Sequence, residues 1–327
     1  MVEASYYISL DNKRVKCVLC PRECVIAPQK TGFCKAKENR DGKLYAILYG
    51  KIAALHLDPM EKKPLYHFYP GSNILSIGTL GCNLRCRFCQ NWQMVDGLLP
   101  LDDLNPDELI RIAKRNNSVG IAYTYNEPLM WFEYIMDSAK IAKENGLKNV
   151  LVTNGLINKD PLNELLPLID AMNIDLKSIR NNFYKDYCSG MLEPIKENIK
   201  TASSRCHVEI TNLIIPGAND SDEDLNELID FVSALGRDTP LHFSRYFPNY
   251  KLNFPPTPPK TLLKAYEMAK KRLNYVYLGN IYTEKGSNTY CPECNNLLIR
   301  RVGYDISVLG LNVNNCARCG KRIEITL

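Results

Sequence analysis

Three cysteines fall within eight residues, in the segment Gly81-Cys82-Asn83-Leu84-Arg85-Cys86-Arg87-Phe88-Cys89. The spacing is Cys-x3-Cys-x2-Cys, with an aromatic residue, Phe88, directly before the last cysteine. Three thiolates so placed on one loop can ligate three irons of a cubane cluster and leave the fourth iron open. An open metal position is what chemistry needs, whereas a closed ligand set serves structure or electron transfer. The competing explanations are a zinc site lacking its fourth ligand and three ordinary buried cysteines. Such dense clustering disfavours both.

Eight further cysteines form two outer sets. Cys291-Pro-Glu-Cys294 and Cys316-Ala-Arg-Cys319 are two Cys-x2-Cys knuckles, which is the pattern of a tetrahedral four-cysteine site. Strand-like stretches between them predict a zinc-ribbon-like module that needs its metal to fold. Its expected role is structural, because closed four-thiolate sites are usually inert. Cys17, Cys20, Cys24 and Cys34 are less regular, with Pro21 and Gly32 supplying turns. They suit zinc or an auxiliary iron–sulfur cluster, and the reading leans to zinc.

These residues need a scaffold. Short apolar runs predict strands at Ile74–Gly78, Val119–Tyr123, Val150–Thr153, Met172–Leu176, Val208–Ile215, Leu241–Tyr246 and Tyr275–Leu278. Stretches with helical period lie between them, among them Leu129 to Asn145 and Ser221 to Leu235. Strand–helix alternation with near-continuous apolar strands predicts an α/β fold, a parallel sheet closed into an open or partial (β/α)6 TIM-like barrel. Residues 1–70 are expected to form an N-terminal four-cysteine segment, 71–284 the barrel and 285–327 the C-terminal module. In such folds the reactive face lies at the C-terminal ends of the strands. The residues there are the Cys82 loop, Asn126 and Glu127, Thr153, Asp175 and Lys177, and finally Arg245 and Tyr246.

Composition bounds the compartment and the partners. The chain has 327 residues, 45% of them apolar and 24% charged, with a net charge of +5. No run approaches the ~20 apolar residues that span a bilayer. Met1 to Leu10 gives no sign of a secretory leader, so a cytoplasmic protein is expected. The count of 13 cysteines is odd, and in a reducing compartment clustered cysteines read as metal ligands. A charge of +5 spread over this length forms no basic stripe, so nucleic acid is not an expected partner.

The central cysteine motif resembles that of the radical S-adenosylmethionine (SAM) superfamily. That resemblance implies a [4Fe–4S] cluster on Cys82, Cys86 and Cys89 whose open iron takes the amino and carboxylate groups of SAM. It implies reductive cleavage of SAM to a 5′-deoxyadenosyl radical that abstracts hydrogen from a substrate, driven by a reductant such as flavodoxin or ferredoxin. The chain is similar to the activating enzymes of glycyl-radical proteins, pyruvate formate-lyase activating enzyme among them. A partner protein is therefore an expected substrate, and oxidoreductase the expected class. Phe88, Asn126, Glu127, Thr153, Asp175, Lys177 and Tyr246 would line the SAM pocket. Two departures stand out. The family's paired glycines before Glu-Pro are Tyr125 and Asn126 here, and its fifth-strand arginine is Thr211. The run from Leu57 to Gly71, with Gly78-Thr79 and Gln90-Asn91-Trp92, resembles the radical SAM member of the AmmeMemoRadiSam system. That likeness implies AMMECR-type and Memo-type partner proteins.

Two other functions compete with this one: an RNA-binding or nucleotide-modifying protein, and an electron carrier with several clusters. Among the remaining residues, Cys188 and Cys206 are expected to be inert. His207 and His242 are expected to be structural, and the stretch from His56 to His67 to be a solvated loop, with a lid or substrate loop as the alternative. Arg300, Arg301, Lys321 and Arg322 are expected to give the tail a basic face.

Overall fold

The computed structural model describes residues 1–327. Its framework is an eight-stranded sheet. The strands are β1 (Ala54–Pro59), β2 (Asn73–Gly78), β3 (Gly120–Tyr123), β4 (Lys148–Thr153), β5 (Ala171–Asp175), β6 (His207–Ile214), β7 (Leu241–Arg245) and β8 (Val276–Gly279). They lie side by side in chain order. Strands β2 to β8 are all parallel, and β1 pairs antiparallel with β2 at one edge. All seven strands expected from apolar runs form, with ends shifted by two residues at most. Strands β2 to β5 are buried over most of their length on both faces, which is why they read as continuous apolar runs. Strand β1 was not expected. It is a half-exposed edge strand of mixed composition, closed by Pro59, and such strands carry little signal.

Helices connect the parallel strands, and local chemistry sets their ends. The helix α1 (Pro106–Arg115) has proline in its first turn, Asp107 and Glu108 at its positive end and Lys114 and Arg115 at its negative end. Asn105 caps it by accepting from the Glu108 amide at 2.9 Å. The helix α2 (Phe132–Glu144) follows one turn of 3₁₀ helix, Pro128–Trp131, within the stretch predicted to be helical. The helix α3 (Asp222–Leu235) carries three acidic residues in its first turn, and Ser221 accepts from the Asp224 amide at 3.1 Å.

The chain before β1 forms two small three-stranded antiparallel sheets. They share one hydrophobic core with the large sheet. A buried Lys37–Glu133 ion pair joins them to α2, and the Trp131 indole donates to the Leu48 carbonyl at 2.7 Å. The chain after β8 forms another three-stranded antiparallel sheet and a two-stranded pairing that carries Cys316. A separate small core, in which Cys291, Cys316, Leu298 and Ile325 pack on Tyr275 and Tyr277, holds this end against β8.

Under that contact lies a buried polar network. Glu209 on β6 accepts from His242 at 2.5 Å and from the His67 amide at 2.7 Å, and lies 3.0 Å from the His207 ring. The His67 ring lies 2.6 Å from the Tyr277 hydroxyl and 3.0 Å from the Glu324 carbonyl. His207 and His242 are structural, as expected. His67, Glu61 and Lys63 are buried, so the stretch predicted to be a solvated loop instead closes over the sheet. Arg301 is buried too, bonded to Thr289 and the Tyr66 carbonyl, so it is not part of an exposed basic face. No helix is long and apolar enough to cross a membrane.

Candidate active site

A cavity of about 420 Å³ opens at the C-terminal ends of the parallel strands. The strand ends deliver one polar group after another to its wall: Cys82, Cys86, Phe88 and Cys89 after β2, Glu127 after β3, Thr153 and Asn154 after β4, and Asp175 and Lys177 at the end of β5. Thr211 on β6 and Ser244 on β7 complete it. Of the residues predicted to line a SAM pocket, all but Tyr246 are in this wall. Tyr246 is buried elsewhere, where its hydroxyl donates to the Leu252 carbonyl at 2.7 Å.

The cysteine loop is pinned from both sides. Asn126 donates to the carbonyls of Leu80 and Gly81 at 3.1 and 3.0 Å and accepts from the Thr79 amide at 3.1 Å. Its side chain is thus occupied in holding the start of the loop. Gly81 has φ +82°, and a Cβ there would lie 2.1 Å from the Cys34 carbonyl oxygen, so only glycine fits. The Cys82 sulfur receives the Leu84 amide at 3.3 Å and the Asn154 side-chain amide at 3.7 Å. Such N–H donors stabilise a thiolate cluster ligand. Burial pushes the Cys89 thiol up to about 11, so loading a metal here must release protons. Cys188 is fully buried outside the cavity wall and is not a thiol facing substrate.

Glu127 is buried and accepts three bonds: from the Thr153 hydroxyl at 2.6 Å, the Asn154 amide at 2.8 Å and the Leu129 amide at 3.1 Å. Burial outweighs these donors and raises its carboxyl to about 7. Lys177 pairs with Asp175 at 2.8 Å. Burial works to strip its proton, but the Asp175 carboxylate prevails and holds the ammonium form well above its usual range.

The opposite wall holds residues that sequence reasoning missed. Asp58 accepts from Lys63 at 2.7 Å, Lys62 at 2.9 Å and the Tyr125 hydroxyl at 2.6 Å. Desolvation would raise the Asp58 carboxyl, but these three donors outweigh it and hold it low. Tyr125 stands where the resemblance expects glycine, and its backbone keeps the left-handed form, φ +74°. That conformation costs a non-glycine residue about 1–2 kcal/mol, and the bond to Asp58 helps to offset it. Asp58 and Lys63 stand in the run from Leu57 to Gly71 that the resemblance singled out, but nothing in that run placed them in the cavity wall, which they reach from β1 and the turn after it. Asn154 was visible, directly after Thr153.

The donor chemistry of this wall fits an iron–sulfur cluster with SAM. Three thiols face the cavity without a fourth, and a carboxylate and an ammonium stand ready for a zwitterion. A model of the radical SAM superfamily matches residues 76–232. An uncharacterized protein of Methanocaldococcus jannaschii is 47% identical over an alignment of 336 positions that spans all of both chains.

The chain belongs to the radical SAM superfamily. Within that superfamily it is 26% identical over 164 residues to the pyruvate formate-lyase 1-activating enzyme of Escherichia coli, covering 48% of this chain and 67% of that one. It is 29% identical over 181 residues to the GTP 3′,8-cyclase of Geobacter sulfurreducens, covering 53% and 54%. Streptococcus suis SuiB bound to S-adenosylmethionine shares the fold, with a TM-score of 0.52 and 16% identity over 64% of this chain and 52% of SuiB. As a radical SAM enzyme the chain is expected to use a [4Fe–4S] cluster and SAM.

The four C-terminal cysteines are a separate centre. Their sulfurs all lie within 4.8 Å of one another, with Cys291–Cys319 and Cys294–Cys316 both at 3.6 Å. Tetrahedral Zn–S bonds of ~2.3 Å put sulfurs about 3.8 Å apart, so this set can hold a metal ion.

Proposed function

We propose that the protein reductively cleaves SAM at a [4Fe–4S] cluster held by Cys82, Cys86 and Cys89, and abstracts a hydrogen atom from a partner protein. The observation that carries this reading is the convergence of three cysteines, Glu127, Thr153 and the Asp175–Lys177 pair on one cavity. When bound, the cluster supplies one electron to SAM, and the resulting 5′-deoxyadenosyl radical supplies the hydrogen abstraction. The chain's own residues do the rest. Glu127 orients the Thr153 and Asn154 strand end and offers a carboxylate to the SAM amino group. Lys177, kept protonated by Asp175, pairs with the SAM carboxylate. Phe88, which lines the cavity with its ring 6.0 Å from that of Phe183, helps to keep water from the cluster edge. Thr211 replaces a clamping arginine, which leaves Lys177 as the main cationic contact.

Kinship with an enzyme that activates pyruvate formate-lyase supports a protein substrate. We read flavodoxin or ferredoxin as the electron donor and AMMECR-type and Memo-type proteins as partners. We read residues 1–70, 71–284 and 285–327 as an N-terminal segment, a partial (β/α)6 barrel and a zinc-ribbon-like module, with zinc in the last. That module packs where Tyr275 leads into β8, at the far end of the strand from the cavity, which supports a structural role.

The test is anaerobic reconstitution, reduction with dithionite, addition of SAM and assay of 5′-deoxyadenosine. Its formation is expected in the wild type and not in Cys82→Ala. A cluster-loaded wild type that makes no more than the variant overturns the reading.

A further inference from the structure

The four N-terminal cysteines take no part in the cavity described above, yet they converge. Cys17, Cys20, Cys24 and Cys34 are free thiols that wall one small cavity of their own, with Gly32 and Arg22 beside them. Three contacts place this cavity directly behind the cluster loop. The Cys34 carbonyl packs against Gly81 so closely that a Cβ would not fit. Arg22 donates to the carbonyls of Asn83 and Ser189. Asn83 lines the small cavity and accepts at 2.9 Å from the Asn154 amide that also reaches the Cys82 sulfur. The Leu19 carbonyl accepts from the Asn158 amide at 3.0 Å, which fixes the segment over the loop that follows β4. The two outer cysteine sets therefore stand at opposite ends of the sheet. The N-terminal set is at the reactive end.

Spacing separates the metals. A single tetrahedral ion draws four sulfurs to about 3.8 Å from one another, as the C-terminal set shows. In a cubane each cysteine binds a different iron, and the sulfurs stand about 6 Å apart. Among Cys17, Cys20, Cys24 and Cys34 no three sulfurs lie within 4.8 Å of one another, and the same holds for Cys82, Cys86 and Cys89. The N-terminal set, like that trio, is not gathered around one point as tightly as the C-terminal set. With four cysteines it can ligate every iron, so such a centre would offer no open position to SAM.

We propose that Cys17, Cys20, Cys24 and Cys34 hold a second, fully ligated [4Fe–4S] cluster packed against the loop that carries Cys82. Of the two centres that the sequence left open here, zinc and an auxiliary iron–sulfur cluster, it takes the second. It also goes beyond the hydrogen-abstraction reading and does not depend on it.

Metal analysis with Mössbauer and EPR spectroscopy of the anaerobically reconstituted full chain tests the proposal. The wild type is expected to hold about eight irons and eight sulfides, against about four of each for a single cubane. A variant with Cys82, Cys86 and Cys89 all changed to alanine is expected to keep about four irons, and its reduced signal should not change when SAM is added. Cys17→Ala with Cys20→Ala is expected to lose about half the iron and keep the SAM-sensitive signal. Should either variant fail to fold, Mössbauer integration of the wild type decides alone. A wild type with about four irons and zinc at both outer sites overturns the proposal and leaves the radical SAM reading standing. A wild type that holds no iron overturns both.

Discussion

At the scale of single residues, the site divides between groups that hold other protein groups and groups left free to meet a ligand. Asn126 is of the first kind, since all its side-chain capacity goes to Thr79, Leu80 and Gly81. Lys177 is of the second kind, with Asp175 as its one hydrogen-bonded carboxylate partner and a place in the cavity wall. Lys177→Met is therefore expected to weaken SAM binding about tenfold or more, the worth of a charge-assisted pair. Iron content should stay at the wild-type level. The measurement is SAM titration of the reconstituted protein, followed by the change in its EPR signal. Wild-type affinity in the variant would show that another group holds the carboxylate. The types of these residues were legible in the sequence because each stands at the end of an apolar run. Their division of labour was not, because it depends on which backbone groups happen to lie opposite. Tyr125 is the clearest case. A missing glycine read as a departure, yet the backbone keeps the left-handed turn and the tyrosine hydroxyl finds Asp58.

At the scale of elements, the seven parallel strands were legible because burial of most positions on both faces keeps them largely apolar. Strand β1, the turn after it and the short strands of the N-terminal segment were not. They are stabilised by contacts with residues distant in sequence, such as Lys37 with Glu133 and Asp58 with Tyr125. The junction of two such elements gives a sharp prediction. Gly81→Ala forces a Cβ toward the Cys34 carbonyl at a positive φ. It is expected to cost at least about 2 kcal/mol, read from urea unfolding, and to lower iron loading at both cysteine sites. Normal loading with unchanged stability would mean that the loop and the N-terminal segment are not locked together. A second prediction concerns the C-terminal module, whose small core depends on its cysteines. Cys291→Ser is expected to remove one metal ion per chain and lower the thermal midpoint, with the cluster of Cys82, Cys86 and Cys89 intact. Loss of that iron as well would tie the module to the active site.

At the scale of the whole molecule, two buried titrating groups act on stability in opposite directions. The His67 ring is held at about 4 by burial, below the 6.5 of a free histidine. Its neutral form matches its partners, donating to the Glu324 carbonyl and accepting from the Tyr277 hydroxyl. Between those values the unfolded chain binds the extra proton, so this contribution is full above pH ~6.5 and is lost as pH falls toward 4. Glu127 is raised from 4.5 to about 7. There the folded chain binds the extra proton, so its contribution is full below pH ~4.5 and is lost as pH rises through 7. Each displacement corresponds to roughly 3.4 kcal/mol at its full extent. The wild-type profile between pH 5 and 8 is therefore expected to be flatter than either group alone would make it. Single variants should expose the slopes. In His67→Gln the stability deficit against wild type should grow with rising pH by about 1–2 kcal/mol over this range. In Glu127→Gln it should shrink by a similar amount. Denaturant unfolding of the metal-free chains at fixed ionic strength measures both, and the common response of the thiols cancels in each difference. Parallel slopes for the two variants would refute the opposition. Opposite slopes would show that the two ends of the strands, the cysteine-lined cavity at one and the docked C-terminal module at the other, carry independent pH dependences within one cooperative sheet.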